Sequence, residues 1–242
     1  MRIRSCAISD VGRKRQKNED SYLINDELNL FIVADGMGGH AGGEYASRIA
    51  ITTIEEMFRS TQGNTKLEGD HVLRNSIQDA GAKIVAKAEE DKALRGMGTT
   101  VIALHIDGKR AVLGHVGDSR GYLYRDGILE QLTEDHSLVN EQVKSGLITQ
   151  EEAKTHQFKN IITRSVGVTP EVEVDLVNKK LKAGDAYLLC SDGLSNLVDA
   201  KEMEKELRER EPLLAAKTMV DLANKRGGDD NITLVLVEVL EA

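Results

Sequence analysis

The stretch Thr99–Tyr124, TTVIALHIDGKRAVLGHVGDSRGYLY, decides how this chain folds. It holds three apolar runs, Thr99–Ile106, Arg110–Val116 and Arg120–Tyr124, each too short for a helix and rich in strand-forming residues. Asp107-Gly108 separates the first two, Gly117-Asp118 the next two, and Asp126-Gly127 follows the third. Asp-Gly between apolar runs marks tight turns, because both residues tolerate positive φ. The pattern predicts consecutive strands linked by hairpins. Parallel βαβ units would need a helix between strands, and there is no room for one here.

Working outward, the period changes. Gly43–Arg59 places Ala46, Ile49, Ala50, Ile54, Met57 and Phe58 on one helical face, and His71–Leu94 does the same with Val72, Leu73, Ile77, Ile84, Val85 and Ala88. Before them, Leu30–Ala34 reads as a buried strand ending at Asp35, with Gly36-Met-Gly-Gly39 as a turn. After the strand run, Leu132–Gly167 is polar. It signals two short helices, one with Ser137 as N-cap and Gly146 as C′, the other with Thr149 and Glu152 as a capping box. Strands resume at Val172–Val177 and Ala186–Ser191. Asp199 caps a helix, Pro212 opens another, and Ile232–Leu240 ends the pattern as a strand. Hairpin-linked strands with segregated helix pairs argue for an α+β layered fold.

The 242 residues are 40% hydrophobic and 30% charged with only 2 Pro, and nothing in them resembles a linker, so the expectation is one domain spanning 1–242. The formal net charge of −8 argues against nucleic acid and against an anionic membrane surface as partners. The first ten residues, MRIRSCAISD, lack the apolar core of a signal peptide, and no apolar stretch nears the ~18 residues of a membrane span. Cys6 and Cys190 cannot build a disulfide framework or a zinc knuckle. A cytoplasmic, reduced, monomeric domain is expected.

The acidic residues at strand ends carry the chemistry. Asp20 follows Asn18-Glu19, Asp35 and Asp192 each close an apolar run and precede Gly, Asp118 sits between Gly117 and Ser119, and Asp229-Asp230-Asn231 opens the last strand. Any one Asp-Gly pair is explained by a turn. Several such carboxylates in one cleft would repel one another unless a cation lay between them, and oxygen ligands without His or Cys suit Mg²⁺ or Mn²⁺. On the residues alone, turns and a hard-metal site both stand. The Gly-rich segment Asp35–Glu44 matches neither nucleotide-binding glycine motif and contains no Lys; close backbone approach is the better reading, with Gly36 able to offer an unobstructed carbonyl.

Eight motifs occur in order: Arg15…Asn18-Glu-Asp20, Ala34-Asp-Gly-Met-Gly-Gly39, Met97-Gly-Thr-Thr100, His115-Val-Gly-Asp-Ser-Arg120, Leu132-Thr-Glu-Asp-His136, Ile162-Thr-Arg-Ser-Val-Gly167, Cys190-Ser-Asp-Gly-Leu194 and Asp230-Asn-Ile-Thr233. From about Ile8 to Val239 the chain resembles the metal-dependent protein phosphatases of the 2C type, in their bacterial single-domain form. The resemblance implies a four-layer α-β-β-α sandwich, two antiparallel sheets flanked by helix pairs, with a flap insert at about 133–167. It implies a Mn²⁺ or Mg²⁺ pair and a third, weaker ion. Asp35 matches the bridging carboxylate, Gly36 a carbonyl ligand, and Asp192 and Asp230 ligands of the first metal. Asp20 and Glu19 match residues that hold the metals' waters, Asp118 the residue that shares the third ion with Asp192, and Arg15 the phosphate-binding arginine.

The implied activity is hydrolysis of phosphoserine and phosphothreonine in proteins, opposing a cognate Ser/Thr kinase. Two other readings compete with it: an inert regulatory binding module of the same fold, which would have lost metal ligands, and a carboxylate-metal nuclease, which the negative charge disfavours. Cysteine-phosphatase chemistry is excluded, since the position where its Arg would stand is Asn196 after Cys190 and Gly12 after Cys6. One departure concerns proton donation. Many eukaryotic members carry His where this chain has Met37, which cannot donate a proton. Two readings of His40 remain, a substitute acid or a loop histidine with no part in the chemistry; His136 and His156 read as structural or substrate-facing.

Overall fold

The computed structural model describes residues 1–38, 42–61 and 68–242. Two sheets, antiparallel throughout, face each other. One runs β2 (Asp20–Asn25), β3 (Leu30–Met37), β5 (Val101–Asp107), β6 (Arg110–Val116), β9 (Asp175–Lys180), with the short β4 (Gly98–Thr99) paired to β3. The other runs β1 (Arg2–Asp10), β11 (Ile232–Glu241), β10 (Ala186–Cys190), β7 (Arg120–Arg125), β8 (Ile128–Gln131).

Strand alternation sorts the side chains into three apolar layers. In β3, Leu30, Ile32 and Ala34 point to the helix pair α1 (Gly42–Thr61) and α2 (Gly69–Glu90), while Phe31 and Val33 point to the opposite sheet. In β10, Leu188 and Cys190 meet α6 (Ala200–Glu209) and α7 (Pro212–Lys225), while Tyr187 and Leu189 fill the space between sheets. The expected α-β-β-α sandwich is the observed one. Because both faces of the central strands are covered, they read as unbroken apolar runs. Among the described residues no helix is long and apolar enough to cross a membrane.

The 133–167 segment carries α3 (Leu138–Lys144) and α4 (Gln150–Thr155), started by Ser137 and by the Thr149–Glu152 capping box as the spacing predicts. After β10 the chain makes one helical turn, α5 (Asp192–Ser195).

The structure departs from the sequence reading at informative places. Gly117-Asp118 is not a hairpin turn: β6 and β7 belong to different sheets, and the chain crosses between them there with Gly117 at φ +111°. Asp126-Gly127 does close a hairpin, β7–β8, where both residues have positive φ, as a type I′ turn requires. Asp35 does not end its strand; β3 continues to Met37, with Gly36 opposite Thr99. The Val172–Val177 strand starts late, at Asp175. Val172 and Val174 are buried under α2 but lie outside the ladder, which begins at the His115–Asp175 pair. The second helix stops at Glu90, and Asp91 caps a separate 3₁₀ turn at Lys92–Leu94. β1 has no counterpart in the reading because its residues divide between two cores, Ile3 and Ala7 inward, Cys6 and Ile8 toward α7, with polar residues between.

Asp199 and Glu202 form a reciprocal capping box at the start of α6. Asp199→Ala removes the side-chain half and is expected to cost about 1 kcal/mol, seen as a lower Tm with unchanged activity, since the helix lies on the outer layer.

Candidate metal centre

The two sheets end at a common rim, and every strand-end carboxylate singled out above is delivered there. Asp20 opens β2 directly opposite Asp35 in β3. Asp192 starts α5 just past β10, and Asp230 precedes β11 in the same sheet. Asp118 sits on the crossover from β6 to β7.

Asp20, Asp35 and Asp192 are held by neutral groups. The Asp35 backbone is pinned from both sides: its N–H donates to Thr100 Oγ1 at 3.0 Å, and its carbonyl accepts from Thr99 Oγ1 at 2.8 Å. Thr100 Oγ1 lies 2.7 Å from Ser119 Oγ, which ties the Asp35 strand to the Asp118 crossover. Ser191 Oγ donates to Asp20 Oδ2 at 2.8 Å while accepting from the Thr233 amide at 3.0 Å, a link between the two sheets. Asn196 Nδ2 donates to Asp192 Oδ2 at 3.0 Å. Glycine at 36 has a steric cause: a Cβ there would lie 2.1 Å from the Gly43 carbonyl oxygen and 2.6 Å from that of Glu19.

The electrostatics are those of crowded acids. Burial pushes Asp20 up to about 7, with Asp192 and Asp230 adding to it against hydrogen bonds from Thr233 and Ser191. Burial, then Asp192 and Asp135, push Asp118 up to about 7 as well. Asp35 is raised well above the carboxylate range by burial and by Asp20, Asp192, Asp118 and Asp230 together. Burial and Asp230 raise Asp192, partly offset by a hydrogen bond with Asp35. Among the described residues, Asp20 Oδ1, Asp118 Oδ1 and Asp192 Oδ1 are buried without a hydrogen-bond partner. Bare carboxylate oxygens that repel one another in a buried rim are what a hard divalent cation neutralises, so the donor set fits Mg²⁺ or Mn²⁺. The described His, Cys, Asp and Glu side chains do not close in threes around a single point.

Arg15 stands at the mouth, exposed, with one guanidinium nitrogen 2.6 Å from Asp230 Oδ2. Burial pulls its pKa down, the charge and hydrogen bond of Asp230 with the charges of Glu19 and Asp35 together outweigh this, and the net direction is up. Glu19 is half-buried and raised by burial, against the pull of Arg15. His40 lies outside the described residues. His136 is a joint in the scaffold: its Nδ1 accepts from the Gly117 amide at 3.0 Å, and its ring stacks on buried His115 at 4.7 Å. Its Nε2 lies 3.2 Å from Asp175 Oδ2. His156 follows α4, where its Nδ1 accepts from the Phe158 amide. The sequence reading assigned no role to Thr100, Ser119, Ser191 or Asn231. All four lie in the quoted motifs, but a hydroxyl or amide that orients a ligand has no spacing signature of its own.

Residues 12–226 match the family model described as protein phosphatase 2C, and the chain belongs to that family. It is 43% identical to the serine/threonine phosphatase stp of Listeria monocytogenes, over 95% of this chain and 93% of that one. It is 41% identical to the protein phosphatase PhpP of Streptococcus pneumoniae, over 97% and 96% of the two chains. The catalytic domain of the serine/threonine protein phosphatase PstP, solved in complex with two manganese ions, superposes with a TM-score of 0.88 at 39% identity, covering 99% of both chains.

Metal removal has a signed consequence. Asp20, Asp35, Asp118 and Asp192 hold their protons to higher pH folded than unfolded. Their contribution to stability is full below the unfolded value of about 4 and is lost as pH rises through the raised folded values, about 7 for Asp20 and Asp118. In EDTA, Tm is expected to be lower at about pH 8 than at about pH 5.5, and saturating Mn²⁺ should shrink or reverse that difference by favouring the ionised carboxylates. A pH-independent Tm in EDTA would contradict the crowding described here.

Proposed function

We propose that this chain hydrolyses phosphoserine and phosphothreonine in proteins at a dinuclear Mn²⁺ or Mg²⁺ centre. The observation that carries the reading is the rim of buried, mutually raised carboxylates with bare oxygens. The family and the manganese-bound relative support it. Asp35 would bridge the ions, Asp192 and Asp230 would ligate one, Gly36 would lend its carbonyl to the other, and Asp20 and Glu19 would order waters around them. Asp118 and Asp192 would share a third, weaker cation. When bound, the ions cancel the carboxylate charge, lower the pKa of water and polarise phosphoryl oxygens.

The chain's own residues do the rest. Ser191 and Asn196 each occupy one oxygen of Asp20 and Asp192, leaving the other free to face the centre. Thr99 and Thr100 hold the Asp35 backbone from opposite sides, so the bridging position cannot drift. Arg15 brings a planar fork that can grip two phosphoryl oxygens, and Asp230 aims it. Met37 has no proton to give, so the leaving serine or threonine oxygen takes its proton from water or from His40. We extend the reading to one catalytic domain over 1–242, with 133–167 as a flap beside the site. It would act as a cytoplasmic monomer on phosphoproteins made by a Ser/Thr kinase. Retention of all the acidic positions disfavours an inert module.

The test is hydrolysis of a phosphothreonine peptide with Mn²⁺ titrated in and EDTA then added; turnover that survives EDTA would refute the reading. Asp35→Asn and Asp192→Asn should each lower turnover at least ~10³-fold while the protein stays folded, because both nucleophile and charge neutralisation depend on these ligands. Asp118→Ala should keep the core pair, counted by calorimetry, and lose far more activity on the phosphopeptide than on an aryl phosphate, whose leaving group needs little protonation. Equal losses on the two substrates would assign Asp118 a different role.

A further inference from the structure

The connection between β1 and β2, residues 11–19, carries Arg13-Lys14-Arg15 near its tip and Glu19 at its exit, and it contains no helix or strand. Its fastening comes chiefly from one short segment, 228–231. Asn231 is 4% exposed, and its whole carboxamide is committed to this loop. Nδ2 donates to the Val11 carbonyl at 3.0 Å and to the Lys17 carbonyl at 2.9 Å, while Oδ1 accepts from the Glu19 amide at 2.8 Å. One side chain thus closes both ends of the loop. The tip is fixed by the Gly228 carbonyl, which accepts from the Arg13 and Lys14 amides at 2.7 and 3.2 Å. Gly12, at φ +81°, lies flat on the Asp230 backbone, where a Cβ would come within 2.2 Å of the carbonyl oxygen. Arg15 then meets the Asp230 carboxylate from above.

We propose that Asn231 is a positioning residue whose carboxamide clips the 11–19 loop onto the Asp230 segment, so that Arg15 is held over the place the phosphate occupies. The proposal rests on the reading of Arg15 as the phosphate-binding group. The chemistry of the clip specifies asparagine. Aspartate has the same shape and keeps the acceptor for Glu19, but it sets an oxygen against the Val11 and Lys17 carbonyls where two donors stood. It also adds a charge beside Glu19 and Asp230. Serine is too short to span both ends of the loop. An exposed arginine has many rotamers, and fixing its backbone removes part of the entropy lost when it closes on a ligand.

The test uses the full chain and the variants Asn231→Ser and Gly12→Ala, which open the clip from its two sides. In EDTA, hydrogen exchange at residues 11–19 should accelerate in both while β10 and β11 stay protected. With Mn²⁺, the inhibition constant of inorganic phosphate and the KM for a phosphothreonine peptide should rise about tenfold, with a smaller change in kcat, for the loss of two to three hydrogen bonds behind Arg15. The deciding measurement is a double-mutant cycle. On an Arg15→Ala background, neither variant should weaken phosphate inhibition further, because both act through Arg15. Full additivity would overturn the proposal, as would unchanged loop exchange in Asn231→Ser. If one variant does not fold, the other decides alone. Should Arg15→Ala by itself leave phosphate inhibition unchanged, the phosphate-binding reading is what fails; a strong Arg15→Ala effect with additive clip variants removes the clip only.

Discussion

Four carboxylates that the fold forces into one buried rim set the terms for everything around them. Their repulsion cannot be relieved by protein cations without destroying the site, and the structure shows how that is avoided. The groups that fix the Asp20 and Asp192 side chains and the Asp35 backbone are hydroxyls and a carboxamide. These fix positions and leave the charge in place. Nearby cations are already taken. Arg120, two residues from Asp118, is tied to Asp135 through nitrogens at 2.6 and 2.9 Å. Arg164 is held by Asp175 at 2.6 Å, and Lys14 by Asp229 at 2.8 Å. The rim therefore stays short of positive charge, and a divalent ion is the group that can supply it.

This arrangement also resolves a conflict between net charge and substrate. A chain of net charge −8 should repel a phosphate dianion. Long-range attraction is not required if the binding energy is concentrated at one point, where bound cations and a guanidinium fork would act at short range. On the proposed reading Arg15 would meet that need, since it is partnered by Asp230 and stays exposed.

The layer order and the identity of the acidic residues were legible in the sequence because each has a local signature: unbroken apolar runs for strands covered on both faces, a 3.6 period for the helices, Asp beside Gly where a run ends. What escaped were features set by partners far along the chain. Gly117-Asp118 looks like Asp107-Gly108, yet one crosses between sheets and the other closes a hairpin, and only the pairing of β7 with β10 separates them. β1 was invisible because its small residues serve two different cores. Asp35 was expected at a strand end, but its ladder continues because β4, reached after both long helices, returns to pair with Gly36 and Met37. Thr100, Ser119, Ser191 and Asn231 matter through what they orient, which no spacing reveals.

The same long reach governs how the centre comes into being. The bond from Ser191 to Asp20 joins residues 171 apart in sequence, and Arg15 meets Asp230 across 215. No subset of the chain smaller than both sheets can present the rim, so the sites for cations exist only in the native state. Ion binding then adds to global stability by mass action, and no local folding unit can claim it. On the proposed reading, the acids that lower the stability of the metal-free protein as pH rises would also be the ones that tighten a cation's hold as they ionise. Stability and metal affinity would then depend on one set of protons, and the neutral supports around the carboxylates would keep that coupling strong. A lysine or arginine set against the buried carboxylates would stabilise the metal-free fold and oppose cation binding there.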